Sequence, residues 1–567
     1  MMISSFGSPL QNVRAQSAAK SAAAPQEQAK QAEVSDQVEI SRAPEAAATE
    51  TAAPAAEPDI RRTEIPGSFI VVASNDQLNS LAENTGVQVE RVLGTAGNST
   101  FLLIQSDKAD QAQLQSHSAF QSVMPNYEYE GKLYDEPIAS DAPAEAPTAG
   151  RPTHLDIINI DQAWAVTKGS PNVITAITDG GVDLSHAELA DSVYKNPKEI
   201  AGNGVDDDGN GFIDDVSGWD FTDNDNVAGH EGSEHHTHVH GIAHAREGSS
   251  GATGVAPGAK SMPLRIDGGR RRYSSALVAE AYLYAMNNGA KSVNTSYNID
   301  GFVGDQAIET AYRTLADNDV LVFNSAGNSG RLNPARSAFE DVVLVASTDT
   351  AASSVDKRSS FSNYGVGIDI ASPGKDIVST LPSGRTGALS GTSMASPGAM
   401  GLHALVQSAH PDWNRAQRWA QIAGTADNID AKNAGEAGLF GGGRINAGRA
   451  LTETLAAPTV SVKESKNPNG GVTKLTVRFD KVLDPNSANV KESWQVVNAD
   501  GEVVMQGSPK EVRLLTNQLD FNVGSLPAGS YEFVASSDSL KDPFGQALDG
   551  DRDGQAGGNF VHKFEVK

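Results

Sequence analysis

The residues best placed to do chemistry centre on a serine. Ser393 lies in Ser390-Gly391-Thr392-Ser393-Met394-Ala395-Ser396-Pro397, just ahead of an apolar helical run (Met400, Leu402, Ala404, Leu405, Val406). A serine there sits at a helix N-terminus, where free N–H groups and the helix dipole favour developing negative charge. Its hydroxyl is a weak nucleophile until an imidazole takes the proton, and a carboxylate must hold that imidazole in the right tautomer. Upstream, residues 173–178 form a short β-branched, apolar run ending at Asp179. This reads as a buried parallel strand that delivers a carboxylate at its C-terminal end, where open α/β sheets place their sites. His235 follows, in His235-His236-Thr237-His238-Val239-His240-Gly241. Nucleophile, base and orienting acid are then all present, and such chemistry requires a fourth part, a donor for the tetrahedral oxyanion.

Together these strings resemble the subtilisin-like serine proteases, whose order along the chain is also Asp, His, Ser. The resemblance implies that Asn328, in Asn324-Ser325-Ala326-Gly327-Asn328-Ser329-Gly330, is the oxyanion donor. It implies that Ser296, Tyr297 and Asn298 and Ser325, Ala326 and Gly327 flank the primary specificity pocket, their backbones pairing with an extended substrate. Phe361-Ser362-Asn363-Tyr364-Gly365, Ala371-Ser372-Pro373-Gly374 and Gly443-Arg444-Ile445-Asn446-Ala447 match further motifs of that family. The implied protein is a secreted serine endopeptidase, made as a precursor and cleaving protein or peptide substrates through an acyl-enzyme.

Several positions depart from the pattern. His236 and His240 stand where the family has small residues, Gly180 replaces a hydroxyl residue after the aspartate, and Gly398 replaces a larger one. Ser261, Ser292 and Asn324 are polar where strands should be apolar. Extra imidazoles in tightly packed helical turns are expected to be crowded or to point outward. His236, His240 and His244, spaced four apart, would share one helix face that could bind a transition metal. These departures leave an alternative open: a catalytically impaired binding protein on the same fold, with a His-rich metal-binding segment. The His-Glu-x-x-His pattern of a zinc peptidase is absent.

The elements that must position these residues follow from the rest of the chain. Residues 151–455 alternate strands with helices, as a subtilisin-like doubly wound parallel sheet with flanking helices requires. Residues 61–130 read as a βαββαβ module that looks like the family's inhibitory propeptide, an internal partner of the protease. Residues 131–150 form an acidic Ala/Pro linker, with maturation expected between about Tyr134 and Arg151. Residues 1–60, rich in Ala, Glu, Gln and Pro, cannot bury enough apolar surface to order and are expected to be disordered. Residues 457–567 carry short strands with turn signals and predict an all-β, immunoglobulin-like sandwich.

Two acidic loops have cation-binding spacing. In Asp206-Asp207-Asp208-Gly209-Asn210-Gly211-Phe212-Ile213-Asp214, the side chains of Asp206, Asp208 and Asn210, the Phe212 carbonyl and Asp214 are the expected ligands of a structural Ca2+. Asp549-Gly550-Asp551-Arg552-Asp553-Gly554 repeats the spacing, with metal loop and plain turn equally open. The net charge of −27 argues against a nucleic-acid partner, and there is no cysteine nucleophile or disulfide among zero cysteines. No apolar run is long enough to span a bilayer, and residues 1–14 lack a basic, then apolar, leader pattern.

Overall fold

The computed structural model describes residues 60–81, 87–131, 133, 138–139, 151–229, 233–248, 251–268 and 272–567. Of the segment expected to be disordered, all but Ile60 lies outside the described residues. So do most of the expected linker and residues 134–137, within the span expected to hold the maturation bond.

The N-terminal strands are β1 (Ile60–Ser74), β2 (Gln88–Ala96), β3 (Ser99–Gln105) and β4 (Phe120–Gly131), followed by the two-residue β5 (Ile138–Ala139). The first four pair antiparallel in the order β2-β3-β1-β4. One face packs on its own short helix (Gln111–Gln115) through Phe69, Val71, Leu102, Ile104 and Leu114. The first helical element of the expected βαββαβ module is a 3-10 turn, Asn75–Ser80, ahead of residues outside the description.

The central region contributes β6 (Ile174–Asp179), β7 (Trp219–Asp220), β8 (Lys260–Arg265), β9 (Arg272–Ser274), β10 (Ser292–Thr295), β11 (Leu321–Ser325), β12 (Val342–Thr348), β13 (Ile370–Pro373), β14 (Ile377–Leu381) and β15 (Arg385–Ser390). Seven of them form a parallel sheet, ordered β13-β12-β11-β10-β6-β8-β7. A parallel sheet has helices on both faces, so its strands are buried throughout. In β11, Val322 packs with the layer of the Ser275–Asn287 and Gln306–Asp317 helices, while Leu321 and Phe323 face the opposite layer. That second layer holds the His-rich helix, Glu234–His244, and the serine helix, Thr392–Ala409. β9, unforeseen in the sequence, pairs instead with β4 and extends the N-terminal sheet.

The C-terminal strands are β16 (Val460–Lys466), β17 (Val472–Phe479), β18 (Trp494–Asn498), β19 (Val503–Gln506), β20 (Gln518–Asn522), β21 (Gly529–Ala535) and β22 (Phe560–Val566). They make two sheets, β16-β17-β20 and β19-β18-β21-β22, around Trp494, Phe521 and Phe533. β22, absent from the sequence reading, closes the larger sheet against β21.

The His-rich helix is pressed against β14. A Cβ on Gly241 would lie 2.1 Å from Thr380 Oγ1 and 2.4 Å from Ser379 Oγ. Those two hydroxyls cannot yield, because they donate to the Thr237 and His238 carbonyls at 2.7 and 2.8 Å. Gly241→Ala is therefore expected to destabilise the protein by at least about 1–3 kcal/mol despite alanine's better helix propensity. Urea unfolding followed by far-UV circular dichroism measures it.

Candidate active site

Asp179 ends β6, where the strand emerges at the C-terminal edge of the parallel sheet. Its carboxylate is fully buried, and His235 Nδ1 donates to it at 2.8 Å from Oδ2 and 3.1 Å from Oδ1. Burial pushes the Asp179 carboxyl up, but the charge and hydrogen bond of the His235 ring outweigh it and hold the group below the ordinary aspartate range. The Gly180 N–H also donates to Asp179 Oδ1, at 2.7 Å. His235 lies in the first turn of its helix, which Ser233 caps by accepting from the His236 N–H.

Ser393 lies in the first turn of the serine helix, which is buried along almost its whole length. Its hydroxyl donates to the Ser296 carbonyl at 3.1 Å, and the Ser296 hydroxyl donates back to the Ser393 carbonyl at 2.9 Å. Pro397 explains the second bond. It has no N–H, so the carbonyl four residues earlier lacks its helical donor, and Ser296 supplies one.

Asn328 completes the group. Its Oδ1 accepts from the Thr392 N–H and the Thr392 hydroxyl, both at 2.8 Å, which fixes the amide orientation. Its Nδ2 is buried with no hydrogen-bond partner among the described residues. A Cβ on Gly391 would lie 3.4 Å from that Nδ2, so the space beside it is kept clear by a glycine. The loop carrying Asn328 is clamped by Asn363. The Asn363 amide donates to the Ala326 carbonyl at 2.9 Å and accepts from Ser329 N–H at 3.2 Å and Arg331 N–H at 2.8 Å.

The two segments expected to flank the specificity pocket differ. The Asn298 N–H donates to the Leu133 carbonyl at 2.8 Å, so that backbone donor of the 296–298 segment is already taken by the N-terminal region. Ala326 and Gly327 do not offer a free edge. Ala326 N–H donates to Val345 O at 3.0 Å, Gly327 N–H to Thr392 Oγ1 at 3.0 Å, and Gly327 O accepts from Asn363 N–H at 2.9 Å. Strand addition at 326–327 is thus corrected, because those groups are spent inside the protein. Tyr297 is buried, with its hydroxyl 2.7 Å from that of Tyr282 and 3.2 Å from that of Thr178.

Beneath both segments lies Arg336, 1 % exposed, which the sequence reading missed. Its guanidinium donates to Asp300 Oδ1 (2.9 Å), Asn298 Oδ1 (2.6 Å) and the Ser325 carbonyl (2.7 Å), joining the two segments. Burial raises the Asp300 carboxyl, but Arg336 outweighs this and holds it below the usual range. Asp300 is 36 positions from Arg336, so no local pattern announces the pair.

The departures around the base are inside the core. His236, His238, His240 and His244 are fully buried, so the outward-pointing alternative is overturned. His236 Nδ1 donates to the Gly180 carbonyl, so two of the departures meet each other. His240 Nε2 lies 3.2 Å from Ser192 Oγ, and His244 bonds Thr175 Oγ1 at 2.8 Å and Ala256 O at 3.0 Å. The His236, His240 and His244 rings do share a face, at 6.3 and 6.2 Å spacing. Among the described residues, however, potential metal ligands converge in threes only at two acidic groups, which removes the basis for the His-rich metal segment. Asn324 is explained by Thr295 Oγ1 and Tyr297 O, each 2.9 Å from its Nδ2. Ser261 and Ser292 are buried hydroxyls with no partner among the described residues, and nothing in the structure explains them.

One acidic group joins Asp206 and Asp208 with Glu199, which the sequence reading missed. Glu199 lies outside the alternating spacing, and its Oε2 is buried with no partner among the described residues. Asn210 bridges instead to Asp215 Oδ2 at 2.8 Å, and Asp214 accepts from Asn203 N–H at 3.1 Å and Gly204 N–H at 2.9 Å. Asp214 therefore serves the loop's own backbone rather than the acidic group. The Phe212 ring packs on Trp219 and Tyr284.

Against known proteins, residues 170–443 match the model of the subtilase family. Thermitase of Thermoactinomyces vulgaris is 34% identical over 296 residues, covering 52% of this chain and 93% of thermitase. The chain belongs to the subtilase family. A thermophilic serine proteinase of Bacillus sp. (strain AK1) is 34% identical over 294 residues, 52% of this chain and 65% of that protein. Subtilisin BL of Lederbergia lenta is 34% identical over 220 residues, 38% of this chain and 77% of its own. This subtilase is a subtilisin-like serine endopeptidase with a mixed α/β fold. The impaired-binding alternative is not favoured.

The buried histidines make a pH prediction. Burial drives His238 down to about 3, so it is neutral in the folded protein at pH 4 to 6. In the unfolded chain a histidine gains its proton near pH 6.5. Between those values the unfolded state holds one more proton, so this stability is full above about pH 6.5 and is lost as pH falls, at about 1.4 kcal/mol per pH unit. His238→Gln is expected to make the acid limb of unfolding free energy against pH shallower by about that slope between about pH 6 and pH 4. Parallel limbs in parent and variant would contradict it.

Proposed function

We propose that Ser393 is the nucleophile, His235 the general base, Asp179 its orienting acid, and Asn328 the oxyanion donor in hydrolysis of peptide bonds in protein substrates. The carrying observation is Asn328, whose oxygen is locked by Thr392 while its buried NH2 group is left without a partner beside Ser393. For reaction, the Ser393 hydroxyl turns from the Ser296 carbonyl toward His235, which takes its proton as Oγ attacks the carbonyl carbon. The negative oxygen formed there accepts from Asn328 Nδ2 and the N–H groups of the helix start. His235 then passes the proton to the leaving amine, and water, activated by the same imidazole, releases the acyl group. Asn328→Ala is expected to lower kcat about 10²–10³-fold with little change in KM, the size found for such a donor in subtilisin itself. Steady-state kinetics on a peptide anilide reads this.

The 60–133 module is proposed to be the enzyme's own inhibitor. Its last strand caps the Ser275–Asn287 helix, with Asn126 Oδ1 accepting from Ala276 N–H at 3.1 Å. Tyr129, buried between Tyr273 and Phe302, donates its hydroxyl to Asp305 at 2.5 Å. Beyond it, Leu133 O accepts from Asn298 N–H, two residues from the Ser296 that meets Ser393, and β5 pairs with Leu389 and Ser390, just ahead of Ser393. On this reading the maturation bond falls between residues 133 and 138. Secretion as this precursor, and a structural calcium ion held by Glu199, Asp206 and Asp208, belong to the same reading. The buried bare oxygen of Glu199 fits a hard cation.

Expression of parent and Ser393→Ala chains tests both halves. The parent is expected to label with a fluorophosphonate and to yield a mature N-terminus between residues 134 and 138. Ser393→Ala should remain full length and unlabelled. An unlabelled, folded parent would defeat the catalytic assignment, and a mature N-terminus elsewhere would defeat the placement of the bond.

A further inference from the structure

The second acidic group lies outside the region matched to the family, in the loop ahead of β22. One carboxylate oxygen from each of Asp549, Asp551 and Asp553 comes within 4.8 Å of the others. Asp551 and Asp553 are exposed, but Asp549 is only 6 % exposed. Asp549 Oδ2 accepts from Gly554 N–H at 3.1 Å, while its Oδ1 is buried with no partner among the described residues. A buried carboxylate with one bare oxygen, set beside two further carboxylates, is unfavourable by both desolvation and repulsion.

The protein does not neutralise this charge itself. Arg552, between the second and third aspartates, has a φ of 60° and turns its guanidinium to the Val460 carbonyl at 2.7 Å. Among the described residues, none of the three aspartates forms an ion pair. The loop also folds back tightly. A Cβ on Gly558 would lie 2.6 Å from the Asp551 carboxylate, and one on Gly550 would lie 2.3 Å from the Gly558 carbonyl.

We infer that Asp549, Asp551 and Asp553 bind a calcium ion in the C-terminal β-sandwich. The ligands are all oxygen, at alternate positions of a short loop, with no nitrogen or sulfur donor, which selects a hard cation. Calcium accepts the irregular geometry of a loop that includes one buried and two exposed carboxylates, whereas magnesium requires a near-ideal octahedron. The loop is anchored by Asp549 N–H to Pro458 O at 2.9 Å and by Arg552 to β16. The bound ion therefore stiffens the place where the sandwich begins.

The test is isothermal titration of chelator-treated, full-length Ser393→Ala chain with calcium chloride, alone and with excess magnesium. The comparison set adds Asp549→Asn, Asp553→Asn and, for the other loop, Asp208→Asn. Asp549→Asn and Asp553→Asn are each expected to lose one calcium equivalent, or at least about tenfold in affinity at one site. Asp208→Asn should leave that site intact. Because Asp553 is exposed, its variant keeps the test decisive should Asp549→Asn fail to fold by far-UV circular dichroism. Unchanged stoichiometry and affinity in a folded Asp553→Asn chain would overturn the site, and loss of calcium binding at this site in the excess-magnesium titration would overturn the choice of ion.

Discussion

The missing N–H of Pro397 is the constraint on which the geometry around Ser393 rests. It leaves the Ser393 carbonyl without a helical donor, and the Ser296 hydroxyl fills the gap at 2.9 Å. Ser296 in turn accepts from Asn294 Nδ2 at 2.9 Å, and the Asn294 oxygen accepts from the Ser396 hydroxyl at 2.7 Å. The end of β10 and the start of the serine helix are thereby joined by hydrogen bonds with no apolar slack. The same strand end accepts the Ser393 hydroxyl itself, so backbone position and side-chain direction are set by one neighbour.

His235, the proposed base, is held by different means. Four imidazoles besides His235 occupy a buried helix, and burial keeps each below its usual pKa. Gly241 gives the helix room against β14, and the buried Gly180 carbonyl accepts a hydrogen bond from His236 Nδ1. The Gly180 backbone N–H, which any residue but proline would supply, still donates to Asp179. Two of the departures, His236 and Gly180, thus meet in one hydrogen bond.

The flanking parts are attached by polar contacts as well as by apolar area. The N-terminal module reaches helix ends at Ala276 and Asp305, where backbone donors and a capping carboxylate are available. The C-terminal sandwich meets the central region through Arg513 on Asp341 at 2.6 Å and Phe544 edge-on to Trp413. The acidic loop of the sandwich lies at its first strand, close to where the chain leaves the protease region.

The sequence by itself determined the alternation of strands and helices, the all-β tail and the places of Asp179 and Ser393. Each depends on local signals: a β-branched run ending in Asp179, a small-residue helix start at Ser393, turn residues between short strands. Asn328 came from resemblance, because an amide after a strand has no local mark of an oxyanion donor. Tertiary structure alone decided the rest. Arg336 and Asp300, Glu199 with Asp206 and Asp208, β9 against β4, and the Asn363 clamp all join residues far apart in the chain. It also decided that Asp214 serves backbone N–H groups and that the histidines turn inward, since spacing states which residues share a face but not what that face meets.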